Sequence, residues 1–366
     1  VGTGSRMAHV KQLFTQGDVA RTENITDLAI SGDGFFVIKT NFGQGYSRDG
    51  SMHFNKRGEL VTSDDYNLLG YASENGRITT RLEPIKIKGN AMAAQSTTKV
   101  DMQMNLNSID DIREYDPDNP FESSNFAHTV TVYDNIGIPR VVTVLYNKAD
   151  DNLWEYRVLA DSKDTGDGDP NGPPVEMASG RLVFNRFGGL EERIEDYNSF
   201  DFNKGAEQGQ EIEFSWGKSV VDGGTGLDST TQFGSVTSIT RHSQDGHSAA
   251  NLSGLSLNKD GMLSALYDNG EIKNIAQVAL AKFDNNEGLF KVGQNVFKSS
   301  RKSGEPNIGS PGSSGRGVVL SKSLELSNAD IAHELVNLLQ TQRNYTANAK
   351  VLKTSTEMLD EVLKIK

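Results

Sequence analysis

The C-terminal end of the chain carries the pattern that most restricts its fold. From position 331 to 363, mostly apolar residues recur at alternating intervals of four and three, which is the 3.5-residue spacing of a coiled-coil helix. Neither glycine nor proline interrupts this stretch. This set, the apolar stripe, comprises Ile331, Leu335, Leu338, Gln342, Tyr345, Ala349, Leu352, Thr356, Leu359 and Leu363.

The spacing predicts one α-helix over residues 328–364, about 55 Å long at 1.5 Å per residue. Ser327 or Asn328 is expected to cap its N-terminus, with Asp330 in the first turn. A single helix cannot bury its own apolar stripe. The sequence holds no second long stretch of matching period. The partner is therefore an unseen segment or neighbouring copies, and packing on the protein's own core is the alternative.

The rest of the sequence is typical of short β-strands. Runs of Val, Ile, Thr, Phe and Tyr are separated by Gly, Asn and Asp, and the chain has 37 glycines but only 9 prolines. The alternating segments 28–38 and 58–71 are predicted to form hairpins. Their turns at 31–34, 49–50 and 57–58 are expected to need positive φ angles.

Charge divides the chain into regions. The net charge is −12, but residues 92–240 hold 26 acidic and 11 basic side chains, a net of −15, and the remainder carries +3. Small polar residues flank the acidic region on both sides. We predict a mainly β protein with a discontinuous inner β domain (1–91 and 241–322), an inserted acidic outer β domain (92–240) and a C-terminal helix (323–366).

Strand patterns place further elements within these regions. In the insertion they cover 128–133, 140–146, 154–159 and 181–184. After the insertion they cover 252–257, 262–267, 277–283 and 295–298. The glycine-rich run 304–317 is predicted to be a loop.

Composition excludes several classes of function. The chain has no cysteine, which excludes disulfides, thiolate metal sites and cysteine nucleophiles. No apolar run approaches the roughly 18 residues needed to cross a bilayer, and the first residues lack the features of a secretion signal. The acidic net charge argues against nucleic-acid binding, because phosphates attract basic surfaces.

Two local patterns resemble metal sites but lack essential parts. The histidines at 9, 53, 128, 242, 247 and 333 form no helical pair with a nearby acidic base, as a zinc hydrolase requires. Asp167, Asp169, Asn171 and Gly172 match the start of a calcium-binding loop, but Ala178 stands where the closing glutamate belongs. A solvated surface loop is the favoured interpretation.

Two other patterns resemble catalytic or phosphate sites. Gly309, Gly312, Gly315 and Gly317 precede no Lys-Ser or Lys-Thr pair, so a flexible loop is favoured over a phosphate cradle. Neighbouring carboxylates such as Glu191 and Glu192 are expected on solvated faces of an acidic domain. A glycosidase is recognised by the distance between its two catalytic carboxylates across a cleft, and sequence does not give that distance. We predict no catalytic, cofactor-binding or metal-binding residues, and no enzyme activity.

Three longer motifs are more specific. They are DLAISGDGFF (27–36), YSRDGS (46–51) together with YNLLGY (66–71), and LELSNADI (324–331) continuing to QRNYTANAK (342–350). Together they resemble the axial proteins of the bacterial flagellum, which include rod and hook subunits. The insertion adds VYDNIGIP (132–139), Trp154 and GRLVF (180–184), which resemble the outer domain of hook-type members and favour hook over rod.

The resemblance implies a structural subunit that assembles with copies of itself into the hook, the flexible tube that transmits torque from basal body to filament. The C-terminal helix would lie in the inner tube. Implied partners are the distal rod, hook cap and hook-filament junction proteins, with neither nucleic acid nor membrane insertion. The implied location is extracellular, after export by the flagellar apparatus without a cleavable signal peptide. A distal rod subunit is the alternative, followed by a secreted β-rich enzyme or adhesin.

Two departures from the family pattern stand out. The family has a helix-forming segment before the stretch matched by residues 1–16, and this sequence lacks it, so a trimmed or incomplete subunit is expected. Ala250 stands where the family usually has glycine, which affects the linker geometry there.

Overall fold

The structure, a computed structural model, describes residues 12–74, 76–87, 89–166, 169 and 171–364. The chain folds into two compact units. The first comprises Val1–Lys88, Leu255–Ala265 and Ile272–Lys366, and the second comprises Gly89–Gly254 and Leu266–Glu271. The predicted fold class, mainly β with one long C-terminal helix, is confirmed.

The strands are numbered in chain order. The first eight are β1 (Val19–Arg21), β2 (Leu28–Ser31), β3 (Phe35–Thr40), β4 (Gly43–Ser47), β5 (Met52–Phe54), β6 (Leu60–Thr62), β7 (Asn67–Glu74) and β8 (Arg77–Pro84). The next ten are β9 (Ala91–Met92), β10 (Lys99–Asn107), β11 (Phe126–Tyr133), β12 (Pro139–Asp150), β13 (Leu153–Ala160), β14 (Val175–Phe184), β15 (Leu190–Asn198), β16 (Glu213–Ser215), β17 (Thr231–Phe233) and β18 (Ser238–Gln244).

The remaining elements lie mainly in the first unit. They are β19 (Ala250–Leu257), β20 (Met262–Tyr267), β21 (Ile272–Val278), β22 (Leu280–Lys282), β23 (Phe290–Gly293), β24 (Val296–Lys298), β25 (Asn307–Gly309), β26 (Val318–Ser321), β27 (Ser323–Glu325) and the long helix α2 (Ile331–Lys364). The start of β19 and the end of β20 belong to the second unit. A one-turn helix, α1 (Pro120–Ser123), also lies in the second unit. The predicted strand 277–283 is interrupted, since β21 ends at Val278 and β22 begins at Leu280.

Strand β3 lies at the centre of the first unit and is buried on both faces. It pairs with β4, β7 and β22. Successive side chains of a strand point to opposite faces. Phe36 and Ile38 therefore enter one apolar cluster, while Phe35 and Val37 enter another. The unbroken apolar run in this strand is explained by that double burial.

The second unit is built from two sheets around one core. Strands β11 to β15 form an antiparallel meander, and β10 pairs with β16 and β17 in parallel and with β18 antiparallel. Val100, Met102 and Met104 on β10 alternate with polar residues and are buried. Trp154 and Trp216 occupy the same core and are at most 1% exposed.

The limits of the second unit differ from those expected for the insertion. The sequence-based limit at residue 240 falls inside β18, which pairs with β10 from Val100↔Gln244 to Asn105↔Ser238. Beyond it, the Gln95 and His247 backbones exchange two hydrogen bonds. Residues 241–254 therefore belong to the second unit. Polar β18 lacks the apolar alternation that would have indicated a strand there.

Positive φ angles were predicted for the glycines of three turns, and the structure has them at three of the four glycines. Gly32, Gly34 and Gly58 have positive φ angles. Gly50 has no positive φ, and it is required instead because a methyl group there would overlap the Leu28 carbonyl oxygen. The predicted hairpin over 28–38 is wrong, since β2 pairs with β26 and β3 pairs with β4.

The run 304–317 is not wholly a loop. It contains β25, which pairs with β22. Arg316 is buried inside the run and donates hydrogen bonds to the Ser310 carbonyl, the Asn307 side chain and the Ser313 hydroxyl at 2.6–3.0 Å. A buried guanidinium that satisfies three acceptors orders a segment whose composition alone indicated flexibility.

Helix α2 begins three residues later than predicted. The Asp330 carboxylate accepts hydrogen bonds from the Ala332 and His333 backbone N–H groups, at 2.9 and 3.1 Å, and is therefore the N-cap. Ser327 and Asn328 do not cap it. The helix has 34 residues and is about 51 Å long.

Candidate assembly surface

Helix α2 presents its apolar stripe to solvent. Every side chain from position 331 to 360 is exposed, including Ile331 (82%), Leu338 (61%) and Tyr345 (75%). The Leu363 side chain lies outside the described residues. For the other nine stripe residues, the alternative of packing on the protein's own core does not hold, because they are exposed.

The apolar surface of α2 is wider than the stripe. Val336, Leu339, Val351 and Met358 lie off the stripe, and each is between 47% and 74% exposed. The 3.5-residue spacing did not identify them because they fall at other heptad positions. A helix with apolar residues on several faces can contact more than one partner.

The base of α2 is joined to the start of the described chain. Strand β1 pairs with β27, and the Gly17 N–H donates to the Glu325 carboxylate at 2.9 Å. The Asn328 amide donates to the carbonyl and the hydroxyl of Thr15, at 2.9 and 3.0 Å. Phe14 packs against Phe297, with ring centroids 5.5 Å apart. Residues 14–17 therefore run beside the segment that leads into the helix.

Arg48 connects this junction to the β body. Its guanidinium lies 2.8 Å from the Glu325 carboxylate. It also donates to the carbonyls of Gly32 and Gly34, each at 3.0 Å. The ion pair is largely buried, since the Arg48 side chain is 22% exposed and the Glu325 side chain 10%. Solvent therefore screens it less than it screens a surface pair. The YSRDGS motif thus supplies a residue that fixes the start of the helix segment.

The patterns that resembled a calcium-binding loop and a carboxylate pair fall on elements other than α2. Asp167 lies outside the described residues, while Asp169 accepts a hydrogen bond from the Asn171 N–H in a turn, and Ala178 lies in β14. Glu191 and Glu192 are exposed on β15, the edge strand of the meander. Among the described residues, no three His, Asp or Glu side chains are arranged to hold a metal ion. The helices of the described chain include none long and apolar enough to span a membrane.

One pair of histidines does come together. His128 on β11 and His242 on β18 have ring centroids 5.2 Å apart at 86°, and the His128 Nε2 is buried without a hydrogen-bond partner. Burial, and then the neighbouring His242, lower the pKa of His128 below its usual 6.5. The two residues lie on different sheets, so their spacing in the sequence gave no sign of the pair.

This pair predicts that acid weakens the second unit. Because the folded pKa of His128 lies below the unfolded value, the unfolded chain takes up the proton first as the pH falls. The contribution of His128 to stability is complete above pH 6.5 and is lost as the pH falls through the folded pKa. His128→Gln should lose less thermal stability than the wild type between pH 7.5 and 5. His53→Gln, at an exposed position of the first unit, is the control, and superimposable pH profiles for His128→Gln and wild type would contradict the prediction.

Models of flagellar protein families match the chain in three consecutive regions. The flagellar hook protein FlgE/F/G D1 domain matches residues 29–103, the flagellar basal body protein FlaE D2 domain matches 105–247, and the flagellar basal body rod FlgEFG protein C-terminal region matches 320–365. The fold, with its exposed terminal helix, and these matches define the class as the axial proteins of the bacterial flagellum.

Full-length relatives specify the family further. The flagellar hook protein FlgE of Salmonella typhimurium strain LT2 is 32% identical over 100% of this chain and 88% of that protein, and FlgE of Escherichia coli K12 is 31% identical with the same coverage. The crystal structure of Helicobacter pylori hook protein FlgE2 matches 84% of this chain and 100% of that chain, with a TM-score of 0.61 at 13% identity, and supports the fold. The chain belongs to the flagellar hook protein family.

Family membership decides between the earlier alternatives. The chain is a structural subunit of the flagellar hook, and the distal rod alternative is not favoured. The family is structural and is not known for enzyme activity. The hook is an extracellular part of the flagellum, which gives the location of the family.

Proposed function

We propose that this chain assembles with copies of itself into the tubular hook through the apolar stripe of α2. The observation that carries the proposal is the exposure of the stripe along the helix. Fully burying a Leu or Ile side chain contributes about 1.5–3 kcal/mol, and contiguous exposed apolar surface of this extent marks an interaction site. Gln342 and Thr356 interrupt the stripe at two positions, where polar groups can select one register of packing.

The remaining functional proposals follow from assembly into a hook tube. The tube would pass torque from basal body to filament, with the distal rod, hook cap and hook-filament junction proteins at its ends. Export would proceed through the flagellar apparatus without a cleavable signal. The two β units are proposed to fold independently of α2, because no α2 side chain that the structure describes belongs to their apolar cores.

The test introduces charges into the stripe. Leu338→Asp with Leu352→Asp should abolish tube formation by purified subunits, because an unpaired buried charge costs several kcal/mol. The matched control is Gln340→Asp with Thr354→Asp, which adds the same two charges at the same spacing to exposed positions outside the stripe. Assembly is measured by sedimentation and electron microscopy.

Thermal unfolding serves as the folding check, and the transitions of both β units should be unchanged in both double variants. Normal tubes from the Leu338 and Leu352 variant would refute the role of the stripe. Equal loss of assembly in the control would show that helix propensity or net charge, and not the stripe, was affected.

A further inference from the structure

A second exposed apolar surface lies on the second unit. This end patch consists of Ile109, Phe187, Val221, Leu227, Phe233 and Val236, which are between 45% and 83% exposed. They come from the segment after β10, the β14–β15 turn, the loop 219–228, the end of β17 and the β17–β18 connection. Buried aromatic and aliphatic residues already fill the core of this unit, so the patch is additional to that core.

Close backbone packing holds the end patch together. A methyl group on Gly188 would lie 2.8 Å from the Phe233 ring, and one on Gly234 would lie 3.2 Å from the Ile109 side chain. The Gly188 carbonyl accepts from the Gln232 N–H at 2.8 Å, and the Gly226 carbonyl accepts from the Leu190 N–H at 3.1 Å. The patch is thus preorganised, which reduces the entropy lost on binding.

The charge around the end patch is mainly negative. The segments 105–112, 186–189 and 218–236 contain four acidic residues, Asp110, Asp111, Asp222 and Asp228, and two basic ones, Arg186 and Lys218. The Lys148 ammonium also donates to the Ser108 and Asp110 carbonyls, at 2.8 and 3.1 Å. Arg186 lies over the Phe187 ring, 4.7 Å from its centroid. A partner that fits this surface has an apolar centre and a basic rim.

The β23–β24 hairpin of the first unit has those properties. Phe290 and Val292 alternate along β23 and are 65% and 41% exposed. Lys298 is the register partner of Phe290, so it lies on the same face. Residues 287–305 hold four basic side chains, Lys291, Lys298, Arg301 and Lys302, and two acidic ones at the ends, Glu287 and Glu305, which leaves a net charge of +2.

We propose that the end patch of one subunit binds the β23–β24 hairpin of another copy. The proposal rests on the proposed function, since it supplies an additional contact within the same polymer. Patch and hairpin are different surfaces, so the contact is heterologous and propagates along an open assembly. The aromatic residues supply affinity, and the opposite charges set the orientation.

The first test replaces one apolar side chain on each surface of the full chain and measures polymerisation. Phe187→Ser and Phe290→Ser should each raise the critical concentration for polymerisation about 5- to 10-fold, as for truncation of an interface anchor. Val141→Ser is the control, because Val141 is a 54% exposed apolar residue of the second unit outside the end patch. This inference would be overturned if both variants polymerised at the wild-type critical concentration. If the Leu338 and Leu352 variant were still defective in that case, the proposed function would stand.

The second test separates a contact between copies from one within a chain. A patch variant, Asp111→Lys with Asp228→Lys, and a hairpin variant, Lys298→Glu with Arg301→Glu, should each polymerise poorly alone because like charges then face each other. An equimolar mixture should polymerise at a lower concentration than either variant, since each altered patch meets an altered hairpin. A mixture no better than its components would show that the hairpin of another copy is not the partner.

Discussion

Arg140→Ala should lower the free energy of unfolding of the second unit by about 3–5 kcal/mol, as expected when one partner of a buried ion pair is removed. The Arg140 side chain is 1% exposed and donates two hydrogen bonds to Asp134, which is fully buried. It also donates to Asp164 at 3.0 Å and to the Asn203 side chain at 3.1 Å. Without the guanidinium, Asp134 keeps two backbone donors, Ile136 and Ile138, but has no positive charge beside it.

Arg181→Ala is the matched control for this loss. Arg181 lies on β14 of the same unit and pairs with Asp196 at 2.8 Å, but both side chains are more than 40% exposed. An exposed pair of this kind contributes about 0–1 kcal/mol. Urea unfolding of the full chain measures both variants. Similar small losses for Arg140→Ala and Arg181→Ala would mean that the Asp134 site rearranges or admits water.

Gly50→Ala should destabilise the first unit by about 3 kcal/mol or more, which places it among the most severe single substitutions. The added methyl group would overlap the Leu28 carbonyl oxygen and force the two backbones apart. That movement would break the 2.9 Å hydrogen bond from the Leu28 N–H to the Gly50 carbonyl. Leu28 belongs to the core, so the displacement also disturbs apolar packing.

Gly254→Ala provides the comparison, because Gly254 has open space around the position of the methyl group and no positive φ angle. Loss of glycine freedom in the unfolded chain should make that change neutral or slightly stabilising. Denaturant unfolding distinguishes the two cases. A Gly50→Ala protein as stable as Gly254→Ala would show that the 49–51 segment shifts without cost.

Sequence patterns were informative where structure is local and periodic. The helix is predicted because its spacing is uninterrupted, and the strand patterns at 128–133, 140–146 and 154–159 fall within β11, β12 and β13. The sequence does not decide the N-cap, because Ser327, Asn328 and Asp330 are all good capping residues. Only the geometry shows that the Asp330 carboxylate accepts from the first free N–H groups. The function came from long motifs and not from periodicity.

Contacts between distant segments left no comparable signal. Arg140 and Asn203 are 63 positions apart, and Arg48 meets Glu325 across 277 positions. The limit predicted at residue 240 falls inside the polar strand β18, because its residues resemble a linker until the pairing with β10 is known. The off-stripe residues Val336 and Met358 were missed because a single period describes one face of a helix.

The junction below α2 also defines how mechanical force enters the first unit. Tension along the helix reaches Glu325 through only a few residues, and there it meets both the Arg48 guanidinium and the Gly17 N–H. Arg48 passes part of that force to the backbone at Gly32 and Gly34, ahead of the central strand β3. A force applied along the helix is therefore distributed over two attachment points, β27 and the β2–β3 turn, and is not borne by the chain at β27 alone.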